Sequence, residues 1–269
     1  MTDFNYWDRL RGSIYSNIGK WVGGEDVVIE ENSLLKNIIH ENSYMQLIIL
    51  NATGKLLPRN VADWIESTFM GLSYPDSRIW CNQVAALSSD SGCSPVTAIA
   101  SCIMSSDSRV YGGSKTKLTT MDFFKKSYLV YRECGCIAES IKDAKEKNGK
   151  PIIIGYVRPV NAKDERIPAY IKRQKDLGIP VGDYLNYALK LEVHLKENFN
   201  QTMNIAAYTA AFLLDQGLTP KEGYRIHSFA TSAGAIACHR DALNKKPNSF
   251  TPLRCEDVIY SGLKKRRIT

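Results

Sequence analysis

The side chains able to do chemistry are few in this sequence, and their spacing excludes several kinds of site. No two of the four histidines have the spacing of metal ligands on one helix face, so we predict no metal site. Cys134 and Cys136 form a close pair without a second pair at zinc-ribbon spacing. We interpret both as ordinary thiols, with redox activity as the alternative. The hydroxyl-rich stretch 88–94 has no histidine and acid placed beside it by any motif, which indicates a turn and helix cap rather than a nucleophile.

The composition is that of an ordinary globular protein. Of 269 residues, 44% are apolar and 23% charged, which excludes wholesale disorder. No run of 18 apolar residues occurs, so no transmembrane helix is predicted, and the first eleven residues lack the apolar core of a secretory signal. The seven cysteines are odd in number and unevenly spread, which predicts reduced thiols and a cytoplasmic location.

The basic charge favours small anionic ligands over nucleic acid. The formal net charge is +7, which suits phosphate-bearing cofactors, nucleic acid or acidic metabolites. The clearest basic run, at 264–267, is interpreted as a solvated tail. Nucleic-acid binding would call for aromatic residues among the basic ones or a known module, and neither is present. A P-loop and a dinucleotide-binding glycine pattern are also absent.

Helical periodicity dominates the chain, so the predicted fold class is mainly α. Residues 60–70 have apolar side chains at i, i+3, i+4 and i+7, and the nearly all-apolar stretch 204–217 predicts a buried helix that stops at glycine. A helix over 118–133 would have Thr119 or Thr120 as its N-cap. Further helices are predicted over 80–87, 95–104, 167–178, 182–197 and 220–240, the last as two helices or one broken helix. Short β signals occur at 13–15, 27–29 and 152–154, and the last of them predicts either a strand or an extended arm that delivers a loop.

Four ordered segments of the chain resemble one known family. They are RLRGSIY at 9–15, CIMSSDSRVYGGS at 102–114, GYVRPVNAKDER at 155–166, and the stretch 196–217 that contains MNIAAY. Two C-terminal stretches continue the match, TSAG at 231–234 and 250–260, which ends in EDVIY. Together these segments resemble citrate synthase. The length of the chain suits the compact citryl-CoA lyase module of ATP-citrate lyase better than the longer synthases.

The resemblance implies a citrate synthase-like fold with two helical domains. A large domain over 1–114 and 218–269 would make the dimer interface, and a small domain over 115–217 would form the CoA side of a cleft. The assembly would be a homodimer, or a heterodimer with a related chain, with the stretches 80–87 and 95–104 at its interface.

At its chemical positions the sequence departs from the family. In the family a carboxylate removes a proton from the acyl-CoA α-carbon, two histidines assist at the carbonyl groups, and arginines hold the carboxylates. The carboxylate falls here on Ala206, the histidines fall on Tyr111 and Arg158, and one arginine falls on Thr231. Arg166 keeps the arginine of the D-x-R element. An alanine accepts no proton, which argues against the usual mechanism.

The resemblance nevertheless implies candidate catalytic residues. Tyr111 could donate a hydrogen bond to a carbonyl oxygen, although packing is the alternative. Arg158 could bind a carboxylate or phosphate, with a structural ion pair as the alternative. His227 could act as a relocated acid or base, although a helix-surface role is commoner for such a residue.

Binding residues are implied in the same way. Arg166, Arg158 and Arg254 are predicted to bind the carboxylates of the acid. The predicted CoA contacts, made through the backbone, are at Lys150, Ile153, Ile154 and Gly155. Lysines predicted to be available for the CoA phosphates are Lys115, Lys117, Lys150 and Lys163. No permanently bound cofactor is expected, because coenzyme A or acyl-CoA would be a substrate or ligand.

Two functions follow as hypotheses. The first is an enzyme that makes or breaks a carbon–carbon bond between an acyl-CoA and an oxoacid, or a related di- or tricarboxylic acid, with non-standard residues. The alternative is a catalytically inactive relative that binds CoA or a metabolite, or that pairs with an active paralogue. Nucleic acid and membranes are not among the expected partners.

Overall fold

The computed structural model of the chain describes residues 4–107, 113–156, 163–246 and 254–264. Its helices are α1 (Phe4–Leu10), α2 (Ile39–Glu41), α3 (Tyr44–Thr53), α4 (Arg59–Leu72), α5 (Trp80–Asp90), α6 (Pro95–Ser106), α7 (Gly113–Cys134), α8 (Ile137–Ser140), α9 (Ile167–Asp176), α10 (Asp183–Phe199), α11 (Ile205–Asp215), α12 (Pro220–His227) and α13 (Ser232–Leu243). A π-helical turn, Leu34–Ile38, leads into α2, and a 3₁₀ turn spans Cys255–Asp257. The predicted mainly α class is confirmed.

Short antiparallel strands accompany the helices. They are β1 (Gly19–Val22), β2 (Asp26–Ile29) and β3 (Asn32–Ser33) in one sheet of order β1-β2-β3, and β4 (Glu146–Lys147) and β5 (Lys150–Pro151) in a hairpin. The hairpin turns at Asn148 and Gly149, whose φ angles are both positive, 53° and 71°. Asparagine followed by glycine suits such a turn because both residues tolerate the left-handed region.

One of the three β predictions is misplaced, and in another only the strand alternative fails. The first sheet begins at Gly19 rather than at 13–15, whereas the strand predicted over 27–29 lies within β2. The run 152–154 is not a strand, because the hairpin partner pairs only with Lys150–Pro151. Apolar β-branched residues favour an extended chain, but a strand also needs a partner edge.

Helix α7 begins five residues earlier than predicted. It starts at Gly113, so Thr119 and Thr120 lie inside the helix and are not caps. Their hydroxyls donate instead to the carbonyls one turn back, at 3.2 Å to Lys115 O and 2.7 Å to Thr116 O. Threonine makes either bond, which is why its position alone did not locate the helix start.

Contacts between Cα atoms divide the chain into two compact units. The first unit comprises Met1–Gly71 and Gly113–Ser228, and the second comprises Leu72–Gly112 and Phe229–Thr269. The resemblance predicts other boundaries: a large domain over 1–114 with 218–269, and a small domain over 115–217. That division into functional domains stays a prediction.

The first unit is built around α11, as its apolar sequence predicts. Every residue of this helix except Ala206 and Asp215 is buried. Trp64 of α4 is fully buried and stacks on Phe212, with ring centroids 3.6 Å apart, and its indole N–H donates to Tyr170 O at 3.3 Å. This packing fixes α11, and with it the position of the first turn of the helix.

The second unit packs α5, α6 and α13 around small side chains. The shared core consists of Cys81, Ala85, Ala98, Cys102 and Ala235. Small residues let helix backbones approach closely. None of the described helices, in either unit, combines the length and apolar character needed to cross a membrane.

Gly155 lets the segment after β5 approach the first turn of α11. Its φ is +101°, and its carbonyl accepts a hydrogen bond of 2.7 Å from Asn204 N. A Cβ at this position would lie only 2.7 Å from the Cβ of Ala207. Glycine is therefore required here both by the backbone angle and by the space available.

We expect Gly155→Ala to lower the free energy of unfolding more than Gly149→Ala. Gly149 also has a positive φ, +71°, but a Cβ added there would meet nothing within 4 Å. The control should cost about 1 kcal/mol for the backbone angle, and Gly155→Ala should cost a further 1–3 kcal/mol, roughly, for the clash. Urea unfolding measures both, and equal losses would contradict the close approach.

Candidate functional site

The first turn of α11 is held by polar contacts from two sides. The Asn204 side chain caps the helix by accepting a 2.8 Å hydrogen bond from Ala206 N. The backbone N–H of Ile205 donates at 2.9 Å to the carboxylate of Asp164. Because helix N-termini expose N–H groups with no partner inside the helix, a carboxylate and a capping amide are the groups expected to stabilise this turn.

Asp164 joins that turn to Arg166. Its carboxylate is fully buried and accepts hydrogen bonds from Arg166 Nε and Nη2 at 2.8 and 2.7 Å. Burial on its own would raise the pKa of Asp164, but the bonds from Arg166 and from Ile205 N outweigh it, so the pKa is lowered. Asp164 is thus a structural anion that orients a cation.

The guanidinium of Arg166 is held in one orientation and is partly exposed to solvent. Its Nη1 donates to Gly71 O at 3.1 Å, and 23% of its side chain is exposed. A guanidinium keeps its charge when it is paired with a carboxylate, and arginine is the residue best suited to bind a carboxylate or phosphate.

Lys117 of α7 is buried rather than available to phosphates, so that prediction is wrong. Only 5% of the residue is exposed, and its ammonium group donates to the Thr209 hydroxyl. Thr209 in turn donates to Ile205 O at 2.7 Å, on the first turn of α11. Burial, together with the positive charge of Arg166, lowers the pKa of Lys117 to about 7.

His227, at the end of α12, is a buried neutral imidazole. Its Nδ1 lies 3.1 Å from Gly223 O, and because a carbonyl only accepts, this nitrogen carries the proton. Its Nε2 lies 3.3 Å from the Thr68 hydroxyl. Burial and the charge of Lys117 lower the pKa of His227 to about 3. The ring therefore presents a lone pair at Nε2, not a proton.

Together these groups form what we call the α11 cluster: Lys117, Asp164, Arg166, Thr209 and His227. The sequence analysis predicted Arg166 and His227 as site residues and took Lys117 for a phosphate-binding lysine, and it gave no role in the site to Asp164 and Thr209. A signal for Lys117 was available, because it stands four and seven residues before Met121 and Phe124, which are both fully buried. That spacing puts the lysine on the apolar face of α7.

The other predicted site residues are distributed differently. Tyr111 and Arg158 lie outside the described residues. Of the predicted CoA contacts, Lys150 and Ile154 are exposed, whereas Ile153 and Gly155 are buried. Arg254 belongs to the second unit, where it is exposed and its backbone N–H donates to Asp257 at 2.8 Å.

A cavity of about 280 Å³ opens beside Asp164 in the first unit. Its walls come from the start of α9, from α10 and from the segment before α11, and they include Lys163, Glu192, Lys196 and Met203. The charges of its lining are mixed, two lysines with two carboxylates, and the other lining residues are mostly apolar. Among the described residues, no group of three His, Cys, Asp or Glu side chains could hold a metal.

Comparison with known proteins identifies the fold. No protein-family model matches the sequence, and no curated protein matches it. Among solved structures, citryl-CoA lyase from Hydrogenobacter thermophilus is similar with a TM-score of 0.78 and 17% identity, over 95% of this chain and 97% of that one.

Two further structures are similar and contain ligands. ATP citrate lyase from Methanothrix soehngenii, in complex with citrate and coenzyme A, matches with a TM-score of 0.73 and 17% identity, over 98% of this chain and 45% of that one. Citrate synthase from Thermoplasma acidophilum, in complex with carboxymethyl coenzyme A and oxaloacetate, matches with a TM-score of 0.57 and 13% identity, over 85% and 59%. The resemblance inferred from the sequence is confirmed for the fold.

Lys117→Met is expected to stabilise the protein at neutral and acidic pH. The unfolded chain holds a proton on this lysine up to about pH 10.5, whereas the folded chain releases it near pH 7. Between these values the unfolded state binds more protons, so stability rises with pH by up to about 1.4 kcal/mol per pH unit. Lys117→Met has no amine that can titrate at this position, so its free energy of unfolding does not show this rise with pH.

Urea unfolding at pH 6, 8 and 10 measures the difference. The advantage of Lys117→Met over the wild type should be largest at pH 6 and should vanish towards pH 10. Lys126→Met, at an exposed position of the same helix, is the control and should show no such trend. A constant difference for Lys117→Met at all three pH values would contradict the lowered pKa.

Proposed function

We propose that this protein acts on an acyl-CoA and an oxoacid, or a related di- or tricarboxylic acid, and makes or breaks a carbon–carbon bond between them. The observation that carries the proposal is the likeness to a citryl-CoA lyase over nearly the full length of both chains. The similar ATP citrate lyase and citrate synthase structures contain a CoA compound together with a carboxylic acid. Because one fold can serve several functions, the reacting residues must be argued from this chain.

Arg166 is the proposed anchor for a carboxylate of the acid. Asp164 and Gly71 O hold its guanidinium in one orientation, which lowers the entropy cost of forming a paired hydrogen bond to a ligand. Part of its side chain, 23%, is exposed. Arg158 and Arg254 stay predicted as further carboxylate-binding residues.

The stretch 150–155 is the proposed CoA-binding segment. The side chain of Ile153 is buried, so this residue could contribute only its backbone, whereas Lys150 and Ile154 are exposed. Gly155 ties the segment to the start of α11, because its carbonyl accepts a hydrogen bond from the N–H of the capping residue Asn204. A CoA thioester lying along this segment would be directed towards the first turn of α11. Tyr111, Arg158 and His227 stay predicted as catalytic residues.

One observation favours a second candidate function, an inactive relative that binds CoA or a metabolite or pairs with an active paralogue. Ala206 stands on the first turn of α11, where a methyl group accepts no proton. The neighbouring carboxylate, Asp164, is already occupied by Arg166 and Ile205 N. This candidate predicts ligand binding or partner binding without turnover.

Isothermal titration with CoA and acetyl-CoA, with and without oxaloacetate, tests the proposed function. We expect binding of the CoA compound that oxaloacetate strengthens. If neither CoA nor acetyl-CoA binds, with or without oxaloacetate, the protein is neither an acyl-CoA enzyme nor an inactive relative that binds CoA. The search would then turn to a protein partner.

Arg166→Lys should weaken oxaloacetate binding by about tenfold or more, because the charge is kept but the planar fork is lost. The affinity for CoA alone should change less than threefold, roughly, by the same reasoning. Arg173→Lys, an exposed arginine of α9, is the matched control. Equal oxaloacetate affinity in wild type and Arg166→Lys would exclude Arg166 as the anchor.

We also propose a dimer, and a cytoplasmic location. Helix α6 presents Val96 and Met104 outwards, with 76% and 80% of each residue exposed, within a stretch expected at the interface. The cysteines Cys81, Cys93, Cys102, Cys134, Cys136 and Cys238 are free thiols, as a reducing compartment requires.

The double substitution Val96→Glu and Met104→Glu in α6 should convert the dimer to a monomer, because unpaired charges buried at an interface oppose association. Sedimentation velocity experiments measure the change. Ile171→Glu, an exposed apolar position of α9, is the control and should sediment as the wild type does. A wild-type protein that sediments as a monomer would contradict the dimer.

A further inference from the structure

Two exposed thiols lie next to each other at the end of α7. Of the six cysteines whose side chains the structure describes, Cys134 and Cys136 are exposed, and the other four are buried or partly buried. Cys134 is the last residue of α7, and Cys136 is the N-cap of α8. The function proposed above uses neither of them. Reagents in solution can therefore reach this pair without any opening of the fold.

The turn between α7 and α8 sets the backbone of Cys136 against the sulfur of Cys134. Gly135 has a φ of +67°, which glycine adopts without strain, and its N–H ends α7 by donating to Tyr131 O at 2.7 Å. The N–H of Cys136 donates to Cys134 Sγ at 3.4 Å, and the same sulfur lies 3.6 Å from Cys136 O. The sulfur of Cys134 is thus held against the residue that carries the second thiol.

This geometry allows the two sulfur atoms to join. Residues two apart in the sequence have Cα atoms at most about 7 Å apart when the chain is extended, and closer in a turn. A disulfide needs a Cα separation of about 4.4–6.8 Å. The sulfur of Cys136 is only three covalent bonds from the nitrogen that already contacts Cys134 Sγ. Because the side chain of Cys136 is exposed, it can rotate to bring the two sulfurs together.

The surroundings of Cys134 suit it as the attacking thiol. A hydrogen bond from a backbone N–H favours the charged form of the group that accepts it, and Cys136 N supplies that bond. A cation also lies within electrostatic range. The hydrogen bond to Glu139 is the main cause that raises the pKa of Lys142, and the charge of Cys134 contributes to the same effect. We therefore expect Cys134 to react first and Cys136 to follow.

A disulfide is a better reaction partner for this pair than a metal ion. Among the residues that the structure describes, no group of three His, Cys, Asp or Glu side chains could hold a metal, whereas a structural zinc ion needs four ligands. Exchange with a disulfide needs only an accessible thiolate and a second thiol near it. Cys134 and Cys136 meet both conditions.

We propose that Cys134 and Cys136 form a redox site that reduces a low-molecular-weight disulfide and closes as an intramolecular disulfide. First, Cys134 Sγ bonds to one sulfur of the small disulfide, whose S–S bond breaks, and one thiolate leaves. Cys136 Sγ then bonds to Cys134 Sγ and displaces the second thiolate. The protons of the two protein thiols pass through solvent to the two leaving thiolates. The protein loses two electrons, and the small disulfide gains them.

The oxidised form is easily reversed. Because one residue separates the two cysteines, the ring that closes is small, and strained or exposed disulfides are the ones that thiols reduce readily. The pair therefore stays reduced where thiols are in excess and closes when disulfide accumulates. This site does not depend on the acyl-CoA function, and no CoA compound enters its test.

Peptide mapping after exposure to glutathione disulfide tests the proposal. The folded protein is incubated with glutathione disulfide, its remaining thiols are alkylated, and it is digested with trypsin. Cleavage after Arg132 and Lys142 releases residues 133–142, which contain both cysteines and no other. We expect this peptide to lose both alkyl groups and to carry an internal disulfide. Excess reduced glutathione should return it to the dialkylated form.

Serine variants identify the attacking sulfur. Cys136→Ser should accumulate a mixed disulfide with glutathione at Cys134, formed within about threefold of the wild-type rate, because the attacking thiolate is unchanged. Cys134→Ser should react about tenfold more slowly or less, because the thiol that receives the N–H bond is missing. Cys93→Ser, at a partly buried thiol of the second unit, is the control and should leave the peptide's oxidation unchanged.

Two results would overturn the redox site. One is a wild-type peptide that stays dialkylated in an excess of glutathione disulfide. The other is oxidation that stops at mixed disulfides and never closes between the two cysteines. Equal rates for Cys134→Ser and Cys136→Ser would overturn the assignment of Cys134 as the attacking thiol. None of these results bears on whether the protein binds acetyl-CoA, so the two proposals fail separately.

Discussion

The hydrogen bond from Ile205 N to the buried carboxylate of Asp164 is the contact on which the rest of the site depends. It fixes the start of α11, and the same carboxylate orients Arg166. The carbonyl of Ile205 accepts from Thr209, which in turn holds Lys117. Through its N–H and its carbonyl, Ile205 therefore links two parts of the site, Arg166 on one side and Lys117 on the other.

This arrangement costs stability, and the surrounding fold offsets the cost. A buried amine and a buried imidazole both disfavour protonation, so the folded chain loses stability wherever either would carry a proton in water. Against this, α11 buries almost its whole surface, and Trp64 stacks on Phe212 of this helix. Groups held at such expense in a core are more typical of function than of packing alone.

Much of the architecture could be predicted from the sequence, because helix periodicity and apolar runs report burial directly. Helix α11 and its glycine stop are correct to within two residues. The start of α7 was misjudged because threonine serves both as a cap and as an interior residue.

The site itself was harder to predict, because a lysine in a sequence is taken as exposed. The burial of Lys117 depends on the packing of α7 against α11 and α12, which brings together residues about 90 and 110 positions apart in a way that no local pattern encodes. The neutral state of His227 likewise follows from its tertiary surroundings. Only the helical spacing of Lys117 with Met121 and Phe124 carried a local signal of this environment.

The central claim, that Lys117 of α7 is desolvated beside α11 and loses its charge near neutral pH, is tested most directly by NMR. Protein labelled with ¹³C and ¹⁵N in its lysines would be titrated between pH 5.5 and 11, roughly, to span both the lowered and the ordinary lysine pKa, with Lys117→Met identifying the signal of Lys117. The structure predicts that this signal titrates with a pKa of about 7. A signal that titrates together with those of the exposed lysines, near pH 10, would contradict the account.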